Sequence, residues 1–372
     1  MGNTQPSPYT HADQCKRDED QLIQESQASP QVPPVTVAPG VSPDADTEGP
    51  APAEGIAARA GCHPRLVADW LDGQAASGLI GYDPAAGTYH LSSEAAMALA
   101  DDSSPVFTAR AMNAVGAFYA DIDKLAAAFR GDGALAWADH HPRLFDGTEW
   151  LFRTGYRAYL PEWIAALDGV QPKLTAGARV ADVGCGHGAS VVVMAERFPS
   201  SRFWGFDFHR PSISTARKRA EEAGVTGRTT FEVATATQYP GTYDLICFFD
   251  CLHDMGDPAG AARYAREHLE PGGTVLLVEP FALDDHQDNL TANPMAPLFY
   301  HASSAVCAPN SLSQEPGTAL GAQAGEARLR QVFEQAGYTQ FRRAANPAQH
   351  DPPSQALTTG PDPGTAPAPR DT

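Results

Sequence analysis

The sequence has few positive charges for its length. Its 372 residues include 26 Lys and Arg against 45 Asp and Glu, which leaves a formal net charge of -19 at pH 7. A chain of this sign carries no overall positive field that would attract the phosphates of a nucleic acid or an anionic lipid surface. The composition therefore predicts that nucleic acid is not a partner.

Cysteine pairs and long apolar runs are also lacking. The six cysteines form no C-x-x-C pair and no spacing typical of zinc ligands, so we predict free thiols and no metal site. No stretch approaches the roughly 20 apolar residues that span a bilayer, and no basic start leads into an apolar segment near the N-terminus. These absences predict a cytoplasmic protein without a membrane partner.

Helical or strand periodicity is lacking at both ends. Residues 1–53 are rich in Pro, Gln, Ser, Thr and Asp and contain a single aromatic side chain, Tyr9. Residues 346–372 have a proline every few positions. Because such segments bury too little apolar surface to offset the entropy lost on ordering, we predict that both are disordered.

Residues 54–104 open the part that is predicted to be ordered. A first helix is expected to end at Gly61, and Pro64 is suited to the first turn of a second helix. Two short apolar runs then flank the turn DPAAG, which is typical of a hairpin. This order of helix, turn, helix and hairpin predicts a winged-helix module.

Two roles are open for this module. One is recognition of DNA by the second helix, although that helix carries Asp69 and Asp72 against Arg65, and the hairpin adds Asp83. The other is packing or dimerisation. The acidic side chains favour the second role, because they would repel the phosphates of a duplex.

The rest of the chain divides into a helical connector and an alternating region. Residues 105–168 have apolar side chains at helical spacing, with a loop-like break between two runs. Residues 169–345 alternate short apolar runs with helical stretches. This alternation predicts an α/β fold with a parallel sheet covered on both faces, and a ligand site at the carboxyl ends of the strands.

A glycine-rich turn lies where such a site is expected. The run VADVGCGHGAS places Gly184, Gly186 and Gly188 between a predicted strand and a predicted helix. It fits both the G-x-G-x-x-A pattern of dinucleotide sites and the tighter G-x-G-x-G, and a turn without ligand is a third interpretation. Asp182 before the glycines and Asp207 at the end of the next strand favour a nucleoside, since a carboxylate can accept both ribose hydroxyl hydrogens.

Three further motifs follow this turn in order. VADVGCGHG, GFDFH, YDLICFFDCLHDMGDP and LEPGGTVLLVEP together resemble the successive motifs of class I S-adenosylmethionine-dependent methyltransferases, over residues 180–343. With the winged-helix segment, the chain more narrowly resembles actinobacterial methyltransferases that are similar to small-molecule O-methyltransferases. The resemblance implies a Rossmann-like sheet, S-adenosylmethionine as cofactor, a small-molecule methyl acceptor and a homodimer.

The resemblance also implies roles for residues at the cofactor site. The three glycines would pack against the methionyl part and the ribose, and Asp182 would hold the amino group. Asp207 would bind the ribose hydroxyls, with Phe208 beside the adenine. Phe249 and Asp250 would close over the sulfonium and its methyl group.

The segment after the third strand departs from the family pattern. The family commonly has an acidic side chain after the third strand for the adenine amino group, and this chain has Thr235 and Thr237 there. A hydroxyl can still accept a hydrogen bond.

Arg153 and Tyr156 lie in LFRTGYRAY, where a helix could fold over the cofactor and bring an arginine to its carboxylate.

His253 is the candidate catalytic residue. It lies in LHDMGDP, which resembles the H-D-W-x-D stretch of small-molecule O-methyltransferases, where the histidine is the general base. A histidine with a pKa near 6.5 could remove the proton of a phenol or alcohol and contribute roughly 100- to 10,000-fold to the rate. The other interpretation is that His253 only packs or caps its loop. Glu279 could orient the histidine or substrate, or could be a solvated charge at the end of a strand.

The chain departs from its relatives at both ends. Relatives have a helical segment before the winged helix, whereas residues 1–53 are polar and rich in proline. Relatives also complete the sheet with an antiparallel strand after YTQFRRAA, whereas the run NPAQHDPPSQALTTG shows no alternation. The sequence therefore predicts that the last strand is absent and that the fifth strand is left with an exposed edge.

These observations favour methyl transfer from S-adenosylmethionine to an oxygen of a small molecule, with nitrogen or carbon as other acceptors. Two alternatives remain. The chain could be a transcriptional regulator that reads DNA with its winged helix, or a catalytically silent relative of the methyltransferases.

Overall fold

The computed structural model describes residues 49–344 and 354–360. The predicted disorder of residues 1–48, and of most of 346–372, falls outside the described residues. The ordered part begins slightly before residue 54, since Ala51 forms an isolated bridge with Tyr89 and the first helix starts at Ala53.

The N-terminal module has the predicted order of elements. Its helices are α1 (Ala53–Ala60) and α2 (Pro64–Ala76), and its hairpin is formed by β1 (Gly81–Asp83) and β2 (Thr88–His90). Gly61 ends α1 with a φ of 62°, and Pro64 stands in the first turn of α2. The buried side chains of Ala57, Val67, Leu71 and Tyr89 form a small core of its own. The winged-helix architecture is therefore confirmed.

A helical region links this module to the sheet. It comprises α3 (Ser93–Leu99), α4 (Met112–Ala120), α5 (Ile122–Arg130), α6 (Arg143–Ala165) and α7 (Val170–Ala176), with 3-10 turns at Ala109–Ala111 and Trp137–Asp139. The longest helix, α6, packs against α4 and against the helix after β3. None of the helices in the described ranges combines the length and the apolar character needed to cross a membrane.

A seven-stranded sheet forms the centre of the larger domain. Its strands in chain order are β3 (Arg179–Val183), β4 (Arg202–Asp207), β5 (Thr229–Val233), β6 (Tyr243–Phe249), β7 (Leu269–Pro280), β8 (Gln340–Arg343) and β9 (Ser354–Gly360). They lie in the order β5-β4-β3-β6-β7-β9-β8, and β9 runs antiparallel to both neighbours. The strand order reverses between β3 and β6, which is where sheets of this kind bind ligands.

Helices cover both faces of the sheet, as predicted. Those that follow β3 are α8 (Ala189–Arg197), α9 (Arg210–Glu222), α10 (Pro258–Glu267), α11 (His286–Ala292), α12 (Ala296–Ala302), α13 (Ala308–Leu312) and α14 (Glu326–Gln335). Successive residues of β3 point to opposite faces, so Val180 belongs to the core under α6 to α9 and Ala181 to the core under α10 and α14.

The prediction that the last strand is absent was wrong. Strand β9 lies inside the sheet and pairs Leu277 of β7 and Arg343 of β8 with Leu357. Ala356 and Leu357 are fully buried, as are the polar side chains of Gln355, Thr358 and Thr359. An interior strand that is covered on both faces has no alternation of polar and apolar residues, which is why the pattern was missed.

Candidate active site

The glycine turn connects β3 to α8 and uses its three glycines differently. A Cβ on Gly184 would lie 2.7 Å from Cys251 Sγ, and one on Gly188 would lie 2.7 Å from the ring of Phe231. Gly186 has a φ of 51° and open space on its Cβ side. Gly184 and Gly188 thus allow close packing of the protein itself, whereas Gly186 leaves backbone accessible to a ligand.

Asp182 lies at the base of this turn with an unused acceptor. Its Oδ2 accepts a hydrogen bond from the Ser190 hydroxyl, and its Oδ1 is buried with no hydrogen-bond partner in the described structure. Burial raises the pKa of Asp182 to about 7. A buried carboxylate oxygen without a donor favours a bound cation such as the ammonium group of an amino acid.

Asp207 closes β4 and holds the glycine turn in place. Its Oδ2 accepts the backbone N–H of Gly186 at 2.9 Å, and its Oδ1 accepts that of His209 at 2.7 Å. Each oxygen keeps a lone pair for a further donor, such as a ribose hydroxyl. Burial raises the pKa of this carboxyl. Phe208 follows, with 48% of its surface exposed beside the turn.

The end of β6 meets α6 from the helical connector. The Tyr156 hydroxyl donates to Asp250 Oδ2 at 3.1 Å, and its ring lies 5.3 Å from that of Phe249. Asp250 has a φ of 51°, an uncommon value for a residue with a side chain, and its N–H donates to Val278 O at 2.8 Å. The sequence predicts that Tyr156 lies near the cofactor, and in the structure it contacts Phe249 and Asp250.

The end of β5 carries no carboxylate of the kind that the family commonly has. Thr235 and Thr237 are both exposed in the turn after β5. The Thr235 carbonyl accepts the N–H of Gln238 at 3.2 Å, and its hydroxyl makes no hydrogen bond to the described residues. The side chain is available for a ligand at this end of the sheet, but nothing in its geometry selects adenine.

His253 forms a buried pair with Glu279. It lies in the 3-10 turn Leu252–Asp254 after β6, whereas Glu279 is near the end of β7. A carboxylate only accepts, so His253 Nδ1 donates to Glu279 Oε2. Glu279 Oε1 also accepts the backbone N–H of Leu252 at 2.9 Å. Glu279 therefore orients the histidine and is not a solvated charge.

The second nitrogen of this ring faces a thiol that sequence reasoning missed. Cys307 Sγ lies 3.2 Å from His253 Nε2. Burial of the ring alone would lower the pKa of His253, but the Glu279 carboxylate and the Cys307 sulfur together raise it well above its usual value. No spacing rule relates these residues, because Cys307 reaches the site from a π-helical turn, Ser303–Cys307, far along the chain.

A second cluster beside the glycine turn was also missed. Glu149 of α6 accepts from His187 Nδ1 at 3.0 Å and from the Arg219 guanidinium of α9. His187 stands between Gly186 and Gly188. Glu149 thereby ties α6 to the turn, and its other oxygen, Oε1, is buried without a hydrogen bond among the described residues. The sequence feature that could have indicated this cluster is the helical spacing of Glu149, Arg153 and Tyr156, which places them on one face of α6.

Arg153 lies on the same face of α6 as Glu149, and its guanidinium makes no hydrogen bond to the described residues. Its side chain is only 21% exposed, and its nearest carboxylate oxygen, Glu149 Oε1, is 4.0 Å away. The guanidinium lies over the ring of Trp150, 4.6 Å from the ring centre. Burial lowers the pKa of Arg153. A half-buried guanidinium that makes no hydrogen bond to the described residues favours an anionic ligand.

These groups fit the two ends of an α-amino acid attached to a nucleoside. Asp182 offers an acceptor for an ammonium group, Arg153 offers donors for a carboxylate, and Asp207 can accept from ribose hydroxyls. Within the described ranges, no group of three or more His, Cys, Asp or Glu side chains is placed to hold a metal ion.

Comparison with known proteins finds matches for both domains. Residues 174–337 match the family model described as a methyltransferase domain, and residues 44–101 match the Rv2258c-like winged HTH domain. The chain is 33% identical over 114 residues to 27-O-demethylrifamycin SV methyltransferase of Amycolatopsis mediterranei, a match that covers 30% of this chain and 41% of that protein. The chain thus spans less than half the length of the first curated relatives it matches.

Solved structures share the fold over nearly the whole chain. An O-methyltransferase family protein from Burkholderia thailandensis superposes with a TM-score of 0.61 at 18% identity, covering 96% of this chain and 100% of that one. Human N-acetylserotonin methyltransferase in complex with S-adenosylmethionine gives a TM-score of 0.62 at 17% identity, covering 96% and 99%. The chain therefore contains a methyltransferase domain that is preceded by a winged HTH domain.

Proposed function

We propose that this protein transfers the methyl group of S-adenosylmethionine to an oxygen of a small-molecule acceptor. The observation that carries the proposal is the buried His253–Glu279 pair beside the glycine turn, because it supplies a base next to a site that fits the cofactor. The curated relatives that the chain matches include O-methyltransferases, which supports oxygen as the acceptor atom.

The cofactor, when bound, supplies an electrophilic methyl group on a sulfonium. We propose that Asp182 holds its ammonium group and that Asp207 accepts its ribose hydroxyls. Gly184, Gly186 and Gly188 shape the turn beneath it, and Gly186 is the glycine that exposes its backbone. Phe208 and Thr235 are proposed to meet the adenine.

The acceptor side of the site is proposed to lie between α6 and the end of β6. Phe249 and Asp250 border the methyl group, and Tyr156 fixes Asp250 through its hydroxyl at 3.1 Å. His253 would remove the proton of the acceptor hydroxyl at Nε2, while Glu279 holds Nδ1 and stabilises the imidazolium that forms. A phenol, with a pKa of about 10, gains most from such a base.

Arg153 is proposed to bind the carboxylate of the methionyl part. Its side chain is half-buried, with 21% exposed, and makes no hydrogen bond to the described residues, so its guanidinium can donate to an anion there. Glu149 lies beside it at 4.0 Å and keeps the helix that carries it fixed to the glycine turn through His187.

A titration with two ligands tests both the proposed contact between Arg153 and the carboxylate and the identity of the cofactor. We expect the wild-type protein to bind S-adenosylhomocysteine about 10- to 100-fold more tightly than its decarboxylated analogue, since a charged hydrogen bond contributes about 1.5–3 kcal/mol. In Arg153→Met, the two ligands should bind about equally. Isothermal titration calorimetry measures both affinities.

Arg157→Met is the matched control for this titration. Arg157 lies one turn further along α6, is exposed and donates to the Asp102 carbonyl, so its loss should leave the preference unchanged. A preference that persists in Arg153→Met would remove Arg153 from the site. If the wild-type protein shows no heat with either ligand, methyl transfer from S-adenosylmethionine itself is refuted.

The winged-helix module is proposed to act in packing and not in DNA recognition. On α2, Arg65 is paired with Asp69, and Asp72 accepts from the Tyr89 hydroxyl at 2.7 Å. The only basic side chain of that helix is thus neutralised by a neighbour. We also propose a cytoplasmic location, which the five free cysteines of the described residues support.

A homodimer is proposed to form through the exposed faces of α4 and α5. Met112, Val115 and Tyr119 recur at three- and four-residue spacing on α4, as Ile122 and Phe129 do at seven-residue spacing on α5. Tyr119 is 79% exposed and Phe129 is 72% exposed. Large apolar side chains exposed in such a row are typical of a surface that a partner covers.

Sedimentation velocity tests this assembly. We expect a dimer for the wild-type chain and a monomer for the double variant Tyr119→Glu with Phe129→Glu, because a two-fold interface would bury each introduced charge twice. Leu290→Glu, which changes a leucine on α11 that is 57% exposed, should leave the dimer intact. A wild-type monomer at tens of micromolar would contradict the proposal.

A further inference from the structure

Cys307 stands at the end of a chain of three buried groups. Its Sγ lies 3.2 Å from His253 Nε2, and His253 Nδ1 donates to Glu279. All three side chains are buried, with 7% of Cys307 exposed. A thiol within hydrogen-bond distance of an imidazole, itself oriented by a carboxylate, is the arrangement that activates cysteine nucleophiles.

The π-helical turn places this thiol. In Ser303–Cys307, between α12 and α13, the backbone forms a wider turn than an α-helix, and Cys307 is its last residue. Single π-helical turns are frequent at functional sites. Here the turn brings a residue of the segment after β7 to the ring nitrogen opposite Glu279.

The other described cysteines lack this environment. Cys251 Sγ donates to the Val183 carbonyl at 3.1 Å, and Cys62 Sγ to the Ala60 carbonyl at 3.5 Å, and a carbonyl cannot take the proton. Burial raises the pKa of Cys185, Cys247 and Cys251 well above its usual value. Among the cysteines that the structure describes, Cys307 is therefore the one with a base beside it.

We propose that Cys307 is a modification site, at which the thiol activated by His253 and Glu279 reacts with small soft electrophiles. The thiol proton passes from Sγ to His253 Nε2, and Glu279 holds the resulting imidazolium at Nδ1. With iodoacetamide, the thiolate attacks the methylene carbon, a C–S bond forms, the C–I bond breaks and iodide leaves. With hydrogen peroxide, an S–O bond forms, the O–O bond breaks, and the departing hydroxide takes the imidazolium proton as water.

Modification has a consequence for the proposed methyl transfer. The 3.2 Å between Sγ and Nε2 leaves no room for an acceptor oxygen between them, so an acceptor reaches the base only when the thiol turns away. A group added to the sulfur would occupy that space permanently. This loss of turnover rests on the proposed function, whereas the reactivity of the thiol does not.

Alkylation of the full-length protein tests the proposal. With limiting iodoacetamide, peptide mass spectrometry should find Cys307 labelled faster than Cys62, although Cys62 is the more exposed. In His253→Gln, which cannot accept the proton, labelling of Cys307 should slow at least tenfold while that of Cys62 stays the same. The unchanged rate at Cys62 controls for the reagent and for the N-terminal module, which has a core of its own, whereas unfolding of the larger domain would expose Cys307 and speed its labelling.

A pH series on the wild-type protein gives a second measurement that needs no variant. An ordinary thiol loses reactivity about tenfold for each pH unit below its pKa near 8.5, whereas a thiol paired with an imidazole keeps it at lower pH. We therefore expect the ratio of Cys307 to Cys62 labelling to rise as the pH falls from 8 to 6. A constant ratio, or equal labelling of Cys307 in wild type and His253→Gln, would overturn the proposal.

The loss of turnover is measured separately. The fraction of methyl transfer lost in the wild-type protein should follow the fraction of Cys307 alkylated, and the activity that remains in Cys307→Ala should resist alkylation. Activity that survives complete labelling of Cys307 would refute the blocking of the base. If the protein transfers no methyl group to any acceptor, the labelling rates still decide the reactivity of the thiol.

Discussion

His253→Ala is expected to lower kcat/KM for a phenolic acceptor by about 100- to 10,000-fold, the range that a positioned general base contributes. The affinity for S-adenosylhomocysteine should change less than about twofold, because His253 is bonded to Glu279 and Cys307 and to none of the groups proposed to hold the cofactor. Initial rates with radiolabelled S-adenosylmethionine and calorimetry with S-adenosylhomocysteine measure the two quantities on the same preparation.

The control for this variant is His90→Ala, which removes an exposed histidine of the winged-helix hairpin and should leave the rate unchanged. If His253→Ala kept full turnover, methyl transfer would depend on holding the two reactants together and not on proton removal. That result would leave the cofactor assignment standing and remove His253 from the mechanism.

The pH profile separates a base from a residue that only packs. The Glu279 carboxylate and the Cys307 sulfur raise the pKa of His253 despite its burial, so the neutral, basic form increases as the pH rises through a range above the usual value for histidine. The kcat/KM of the wild-type protein should increase over that range. In Glu279→Gln the rise should move to lower pH, because the charge that favoured the imidazolium is gone.

The local parts of the site could be predicted from the sequence. The glycine turn, Asp182 and Asp207 lie within a strand-turn-helix-strand unit, where spacing along the chain fixes which groups meet. Asp207 indeed accepts the N–H of Gly186. The hairpin and helices of the N-terminal module were predictable for the same reason, since Gly61 and Pro64 determine where two helices end and begin.

Contacts between distant segments could not be predicted in this way. Cys307 reaches His253 across 54 positions of sequence, and Arg219 reaches Glu149 across 70. These pairs depend on how α6, α9 and the segment after β7 pack on the sheet, which no periodicity encodes. The unsatisfied guanidinium of Arg153 became informative only when its burial and its 4.0 Å distance from Glu149 were known.

Strand β9 shows how the same limit applies to the fold. Its sequence SQALTTG has the polar side chains of Gln355, Thr358 and Thr359 in the sheet interior. Thr358 Oγ1 donates to the Val275 carbonyl at 3.0 Å, and Gln355 Nε2 donates to the Pro280 carbonyl at 3.3 Å. These hydrogen bonds satisfy the buried donors of Gln355 and Thr358, so polar residues are tolerated where an apolar run was expected, although Thr359 Oγ1 has no hydrogen-bond partner among the described residues.

Leu357→Ala is expected to lower the free energy of unfolding by about 2–5 kcal/mol, the usual effect of removing a buried leucine side chain. Leu357 is fully buried at the point where β9 pairs with Leu277 of β7 on one side and Arg343 of β8 on the other. Urea unfolding followed by tryptophan fluorescence measures the change. The matched control is Val233→Ala, which removes a 39% exposed side chain at the end of the edge strand β5 and should change the free energy of unfolding far less.

The comparison of Leu357→Ala with Val233→Ala tests whether β9 lies inside the sheet. If β9 were absent from the sheet, Leu357 would be exposed, and its replacement would alter the free energy of unfolding no more than that of Val233. Strand β8 would then lose its hydrogen-bonded neighbour, and β7, which carries Glu279, would be left at the edge. A large loss of stability in Leu357→Ala would show that Leu357 is buried beside β7, the strand from which Glu279 holds His253.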